Sequence, residues 1–272
     1  MDLTQLDLID SSLEAATLSE LPLPADGDPL DRCAEELPGA GQIEQVVAEL
    51  ASSTLSGELR GWVERYTAVG TRAPYLWNWV FEAVRTTTLP CVAPEHLDHV
   101  CDTKTMGVMW DVMIDDLADR GGDAEVLDRL LDLPMAGLAS SRNLPNPESE
   151  YERFAGELWQ EICHRAESYP RFAEFAELLR FDYLQLSNAM RYATLLNSNL
   201  ELLNLTEHDL YSPHNMHMMV CATFDLMCST SFDRAELGAL REIVWMAQSM
   251  GRIGNLVTTW QRELHEGDFT SG

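Results

Sequence analysis

Two stripes of oxygen-bearing side chains have the spacing to hold a hard cation. In MWDVMIDDLADR, residues 109–120, Asp115 and Asp119 lie four apart, which on a helix is about one turn, some 6 Å of rise along one face. Carboxylates so placed each offer oxygen to a divalent ion that keeps part of its water and holds a ligand phosphate, the usual manner of magnesium binding. Asp111 extends the face back by another turn, and Asp116 stands beside it. The stretch also reads as a helix end running into solvent, since ADRGGD follows at once. Against that stands its cost: carboxylates near a helix C-terminus oppose the macrodipole, and like charges four apart repel by about 0.2–0.5 kcal/mol.

The second stripe is far away in the chain. GRIGNLVTTWQRELHEGD sets Asn255, Thr259 and Glu263 at i, i+4 and i+8, so an amide, a hydroxyl and a carboxylate share roughly 12 Å of one helix face. All three ligate through oxygen. Arg262 beside them presents a planar donor fork suited to phosphate oxygens. Alone, such a triplet reads better as the polar face of a surface helix.

Together the stripes resemble a known pairing. DDLAD, residues 115–119, is similar to the DDxxD motif of class I terpene synthases, and Asn255, Thr259 and Glu263 are similar to that family's second metal motif, NxxxSxxxE with Thr allowed in the middle. The two are 140 residues apart, as in the family's helical barrel, and Arg262 falls on its basic position before the final glutamate. The resemblance covers about residues 60–266. Isoprenyl diphosphate synthases share the first motif but carry a second aspartate-rich one in place of NxxxTxxxE.

The resemblance implies an all-α barrel around a central apolar cavity, with three Mg2+ ions, or Mn2+ in their place, between facing helices at its mouth. Asp115, Asp116 and Asp119 would hold metal on one side, with Asp116 orienting or assisting, and Asn255, Thr259 and Glu263 would hold it on the other. Turnover would rest on Asp115, Asp119 and Glu263, with Arg262 and Asn215 on the diphosphate and Trp77, Phe81, Trp110 and Phe224 lining the pocket. The implied substrate is a linear isoprenyl diphosphate, farnesyl or geranylgeranyl. Its diphosphate leaves under Lewis-acid assistance, and the carbocation cyclises in a dry cavity where aromatic faces stabilise positive charge. Trp77 and Phe81 share a helix face while Trp79 points elsewhere, so the aromatics do not all serve one pocket. Each also reads as a plain core residue.

Two departures from the family stand out. Its diphosphate-sensing arginine belongs in EHDLYSPHNMHMM, which has none; His214, Asn215 and His217 are the substitutes on offer, with Arg191 further upstream. Nine residues follow Glu263, where the family adds further helices, so we expect a barrel lacking its usual last elements. Two rivals remain open: a synthase that joins isoprenyl chains, and a non-catalytic helical binding protein of the same descent. A zinc site at Glu95, His96, His99 and Cys101 is a weaker candidate, because no second His/Cys pair matches it.

Helices must carry these residues, and from about residue 41 the pattern is helix after helix. Apolar residues recur at three and four, with no clean period-two alternation. Gly and Pro punctuate at GTRAP, LPCVAP, GGD, NLPNP and SPH, which mark breaks between helices. We expect an acidic Pro/Gly-rich leader over residues 1–40, partly disordered, and one helical domain over 41–272.

The net charge of -27 argues against nucleic acid and anionic membranes, whose phosphates are met mainly by Lys and Arg. Lys104 is the only lysine. No run of eighteen apolar residues predicts a membrane anchor, and the N-terminus lacks the features of a signal peptide, so we expect a cytoplasmic protein. Six scattered cysteines without CxxC pairs read as buried free thiols. A homodimer is compatible with all of this.

Overall fold

The computed structural model describes Ala48 and residues 55–119, 124–138 and 147–266, the side chains of Asp119 and 260–266 excepted. The expected leader, the first expected helix (apart from Ala48) and the GGD and NLPNP breaks (apart from Pro147) lie outside these residues. The described part is all-α. Its helices are α1 (Gly57–Thr67), α2 (Tyr75–Thr86), α3 (Leu97–Asp119), α4 (Ala124–Ala136), α5 (Glu150–Glu167), α6 (Phe172–Ser198), α7 (Leu205–Tyr211), α8 (Met218–Met227) and α9 (Leu237–Glu266). No strand occurs among the described residues, only an isolated bridge between Val92 and Ser229. None of their helices is long and apolar enough to cross a membrane.

Local chemistry starts several helices where the sequence offers a cap. Ser56 accepts from Leu59 N at 3.0 Å and Ser149 from Glu152 N at 3.1 Å, each satisfying an amide that the first helical turn leaves without a partner. Asn204 does the same for α7 through Glu207 N at 2.9 Å. Helix α7 is absent from the sequence reading because LTEHDLY is too short and polar to show a period.

Helix α3 is the centre of the bundle, packed against α1, α2, α4, α5, α6 and α8. From Val100 to Asp111 every residue but Val108 is buried. Thr103, Thr105 and Gly107 are mediocre helix formers, so packing rather than propensity holds this stretch. The aromatic core wraps it: Trp110 lies 4.9 Å from Trp159 and 5.9 Å from Tyr183, ring centre to ring centre.

A fully buried helix can carry charge only where a partner meets it. Lys104, wholly inaccessible, donates to Asp225 Oδ1 on α8 at 2.9 Å and to Thr88 Oγ1 at 2.6 Å. Asp225 Oδ2 in turn accepts from Leu89 N at 3.0 Å, tying the loop after α2 to the same point. A second clamp seats α9. Arg241 grips Asp182 of α6 with both amino groups, at 2.7 and 3.2 Å, and Thr223 of α8 donates to the same carboxylate at 2.6 Å.

The five described cysteines are free thiols, three of them buried. His96, His99 and Cys101 do not converge: the His99 ring stands edge-on to Tyr169, and Cys101 Sγ lies 3.5 Å from Thr88 Oγ1.

Removing one member of the central pair leaves the other buried and unpaired, at a cost of about 3–5 kcal/mol, whereas an apolar pair of similar volume is often neutral. Lys104→Met should lower the urea-unfolding free energy by that amount, and Lys104→Met with Asp225→Leu should recover most of it.

Candidate functional site

The C-terminal half of α3 leads from the core outward, and its aspartates change environment turn by turn. Asp111 is buried; its Oδ2 stands 3.5 Å from His217 Nδ1, and its Oδ1 has no hydrogen-bond partner. Burial pushes its carboxyl above the ordinary range. Asp115, one turn on, is half-buried and accepts from Asn215 Nδ2 at 3.0 Å. Burial, with the Asp111 charge behind it, pushes its carboxyl up to about 6. Asp116 turns to another side and pairs with Arg72, from the loop between α1 and α2, at 2.7 Å. Asp119 closes the helix, its side chain outside the described residues.

Asn215 reaches Asp115 because the chain breaks its helix there. SPHNM, residues 212–216, forms a 3₁₀ turn, and His217 follows in the left-handed region at φ 59°. That conformation is uncommon outside glycine, though His visits it more than most. The His217 ring packs where Gly107 of α3 has no side chain: a Cβ at Gly107 would stand 2.8 Å from its Nε2 and 3.3 Å from Tyr183 Oη. Gly107 thus lets the turn approach α3 closely enough for Asn215 to meet Asp115. The turn also lies on α9, with the His214 ring tilted against that of Trp245, 5.0 Å between ring centres. Burial, with Arg241 nearby, brings His214 down to about 4, so near neutral pH it offers no cationic contact to an anion.

On α9, Asn255 Oδ1 accepts from Arg252 Nη1 at 3.2 Å, and Thr259 Oγ1 donates to the Asn255 carbonyl at 2.7 Å. Arg252 shares a small cleft with Asn215, Ser212 and Tyr192. The turn thus touches both sides: Asn215 meets Asp115 on α3, and it shares a cleft with Arg252 of α9, which in turn donates to Asn255. Arg262 and Glu263 are on α9, but their side chains are outside the described residues.

The aromatic candidates lie in the core. Trp77, Trp110 and Phe224 have no accessible surface, so in this conformation they border no water-sized space, and Phe81 is 6% exposed. Trp79 is outside, as the spacing implies. Arg191 is taken up with Asp132 of α4 at 3.0 Å. Two arginines that sequence reading passed over stand at the site: Arg72, seen only as part of the GTRAP break, and Arg252. The signal for Arg252 was its place three residues before Asn255, on the same face; nothing local marks Arg72.

The oxygens assembled here suit a hard cation. Asp111 Oδ1 and Asn215 Oδ1 are buried without hydrogen-bond partners. Among the described residues no three His, Cys, Asp or Glu side chains converge on one point. Comparison with known proteins adds no relative: no family model, curated protein or solved structure matches the chain.

A carboxyl whose folded pKa exceeds its unfolded value holds extra protons in the folded state, so stability falls as pH rises between the two values and stays lower above them. For Asp115 that window runs from about 4, the unfolded value, to about 6. Without divalent ions, Asp115→Asn should therefore raise the melting temperature by a few degrees at pH 7.5 and hardly at all at pH 4, in paired thermal melts.

Proposed function

We propose that the chain is a magnesium-dependent class I terpene synthase that ionises a C15 or C20 isoprenyl diphosphate, releases diphosphate and cyclises the carbocation. The observation that carries this reading is the turn at residues 212–216, whose Asn215 donates to Asp115 of the first motif while the turn packs on α9, the helix of the second.

Under this reading Asp115, Asn255 and Thr259 are the described residues that hold metal, with Asp119 and Glu263 completing the set. Bound magnesium supplies Lewis-acid withdrawal of charge from the departing diphosphate. Asn215 orients Asp115 by donating to Oδ1. Arg72 holds Asp116 aside in an ion pair at the end of α3, and its guanidinium also offsets part of the negative charge around Asp115. Arg252 fixes the Asn255 amide from the same helix. Arg262 lies one helical turn beyond Thr258, on the flank of the metal stripe, and contributes a planar fork to the diphosphate. Inward of Asp111, the rings of Trp110, Tyr183 and Phe224 form an apolar floor that keeps water from a carbocation.

One observation favours the second reading, a non-catalytic helical binding protein. Trp77, Trp110 and Phe224 border no water-sized space, so a hydrocarbon chain enters only if the core opens.

Incubation of the protein with Mg2+ and geranyl, farnesyl or geranylgeranyl diphosphate separates the possibilities. We expect released diphosphate in the aqueous phase and cyclic hydrocarbon in the organic extract, both lost with chelator. Asp115→Ala and Asn255→Ala should each reduce release to background while leaving the far-UV circular dichroism unchanged. Absence of release from all three substrates would leave the binding protein; a longer diphosphate from two substrates would establish the chain-joining synthase.

A further inference from the structure

Helix α9 has a second face that the site does not use. Ile243, Met246, Met250, Ile253 and Val257 are each more than half exposed, from 57% at Met246 to 73% at Met250. Their spacings are three, four, three and four, the 3.5-residue period of a helix-pairing seam. In sequence the same spacing continues at Trp260 and Leu264. The bundle side of the helix is different in kind, with Val244 and Gln248 buried and Arg241 clamped to Asp182.

The five side chains expose roughly 600 Å² of contiguous surface, at the upper end of the largest apolar patch on a typical monomer. Covered on two copies, that is about 1,200 Å², the lower bound of a stable, specific interface. Beside the stripe stand the uncharged Ala247, Ser249 and Gly254 and one exposed charge, Glu242, so its flanks are only sparsely charged.

We propose that this stripe is the interface of a homodimer, in which α9 packs against α9 of a second copy about a two-fold axis near Met250 and Ile253. A heptad seam is completed by another helix with the same seam, and two-fold symmetry makes one patch its own complement. The net charge of -27 repels nucleic acid and anionic membranes, leaving an apolar helix face as the fitting occupant. Two copies also repel each other at long range, and salt screens that repulsion while leaving apolar contact intact. Association therefore tightens as salt is added, opposite in sign to a charge-complementary complex. The dimer stands or falls independently of the proposed chemistry, because Asn255 and Arg252 are on other faces of α9.

Sedimentation and light scattering of the full chain at micromolar concentration test this. We expect a mass near twice 30.6 kDa, with a dissociation constant that falls as NaCl is raised. Met250→Glu and Ile253→Glu place a charge in an apolar seam and should each weaken dimerisation by at least about 100-fold. Both positions are exposed in the monomer, and unchanged circular dichroism verifies that the variants fold. Leu205→Glu adds the same charge at an exposed leucine off the stripe and should remain dimeric. A monomeric wild type, a dimer indifferent to Met250→Glu and Ile253→Glu, equal dissociation by Leu205→Glu, or weakening by salt would each overturn the proposal.

Discussion

The buried pair of Lys104 and Asp225 is the constraint on which the bundle turns. Helix α3 runs through the middle of the protein, enclosed almost without interruption from Val100 to Asp111. A charge in such a position is tolerable only if its counter-charge and its remaining hydrogen bonds are built into neighbouring elements. Asp225 and Thr88 supply them from α8 and from the turn after α2, and Leu89 N completes the carboxylate's shell. The pair adds little net stability compared with an apolar substitute, but it defines which turn of α8 faces which turn of α3. The single lysine of the chain is thus spent on register rather than on solubility.

With that register set, the rest of the site follows from the direction of α3. Seven residues beyond Lys104, Asp111 is still buried, and Asp115 is the first carboxylate of the row with access to water. The gradient separates their roles. Asp111 is held inside against His217, Asp116 is neutralised by Arg72, and Asp115 remains available at the rim with Asn215 fixing its orientation. The left-handed residue His217 and the side-chain-free face at Gly107 make that approach possible, one by turning the chain and the other by leaving room. On the far side, the Arg241 and Asp182 clamp sets the rotation of α9, so that Arg252 faces the turn while the apolar stripe is left exposed.

The helical class and most of the helices were legible because burial repeats every three to four residues, a signal contained within each segment. SGELRGWVERYT, PYLWNWVFEAVR and the long stretch ending at Asp119 are helical as read. The break at SPHNMH was visible as a proline in a polar run, but its geometry was not, since a left-handed histidine is selected by what packs around it. Trp110 and Phe224 show the same limit. Periodicity says that they turn inward, and only packing says whether they meet other rings or an open space. Arg72 was illegible for a related reason: the partner of a loop arginine depends on where the loop is carried.

The sequence by itself determined that the described chain is helical, that Asp115 and Asp119 share one helix face and Asn255, Thr259 and Glu263 another, and that the surface is strongly acidic. Those are properties of local spacing and composition, and they need no knowledge of neighbours. Only the tertiary structure decided that Asn215 bridges toward Asp115, that Arg72 claims Asp116, that Lys104 is wholly enclosed and that one face of α9 is left uncovered. Each depends on contacts between residues far apart in the chain, which arise when helices choose their partners and their rotation. No short-range period encodes that choice.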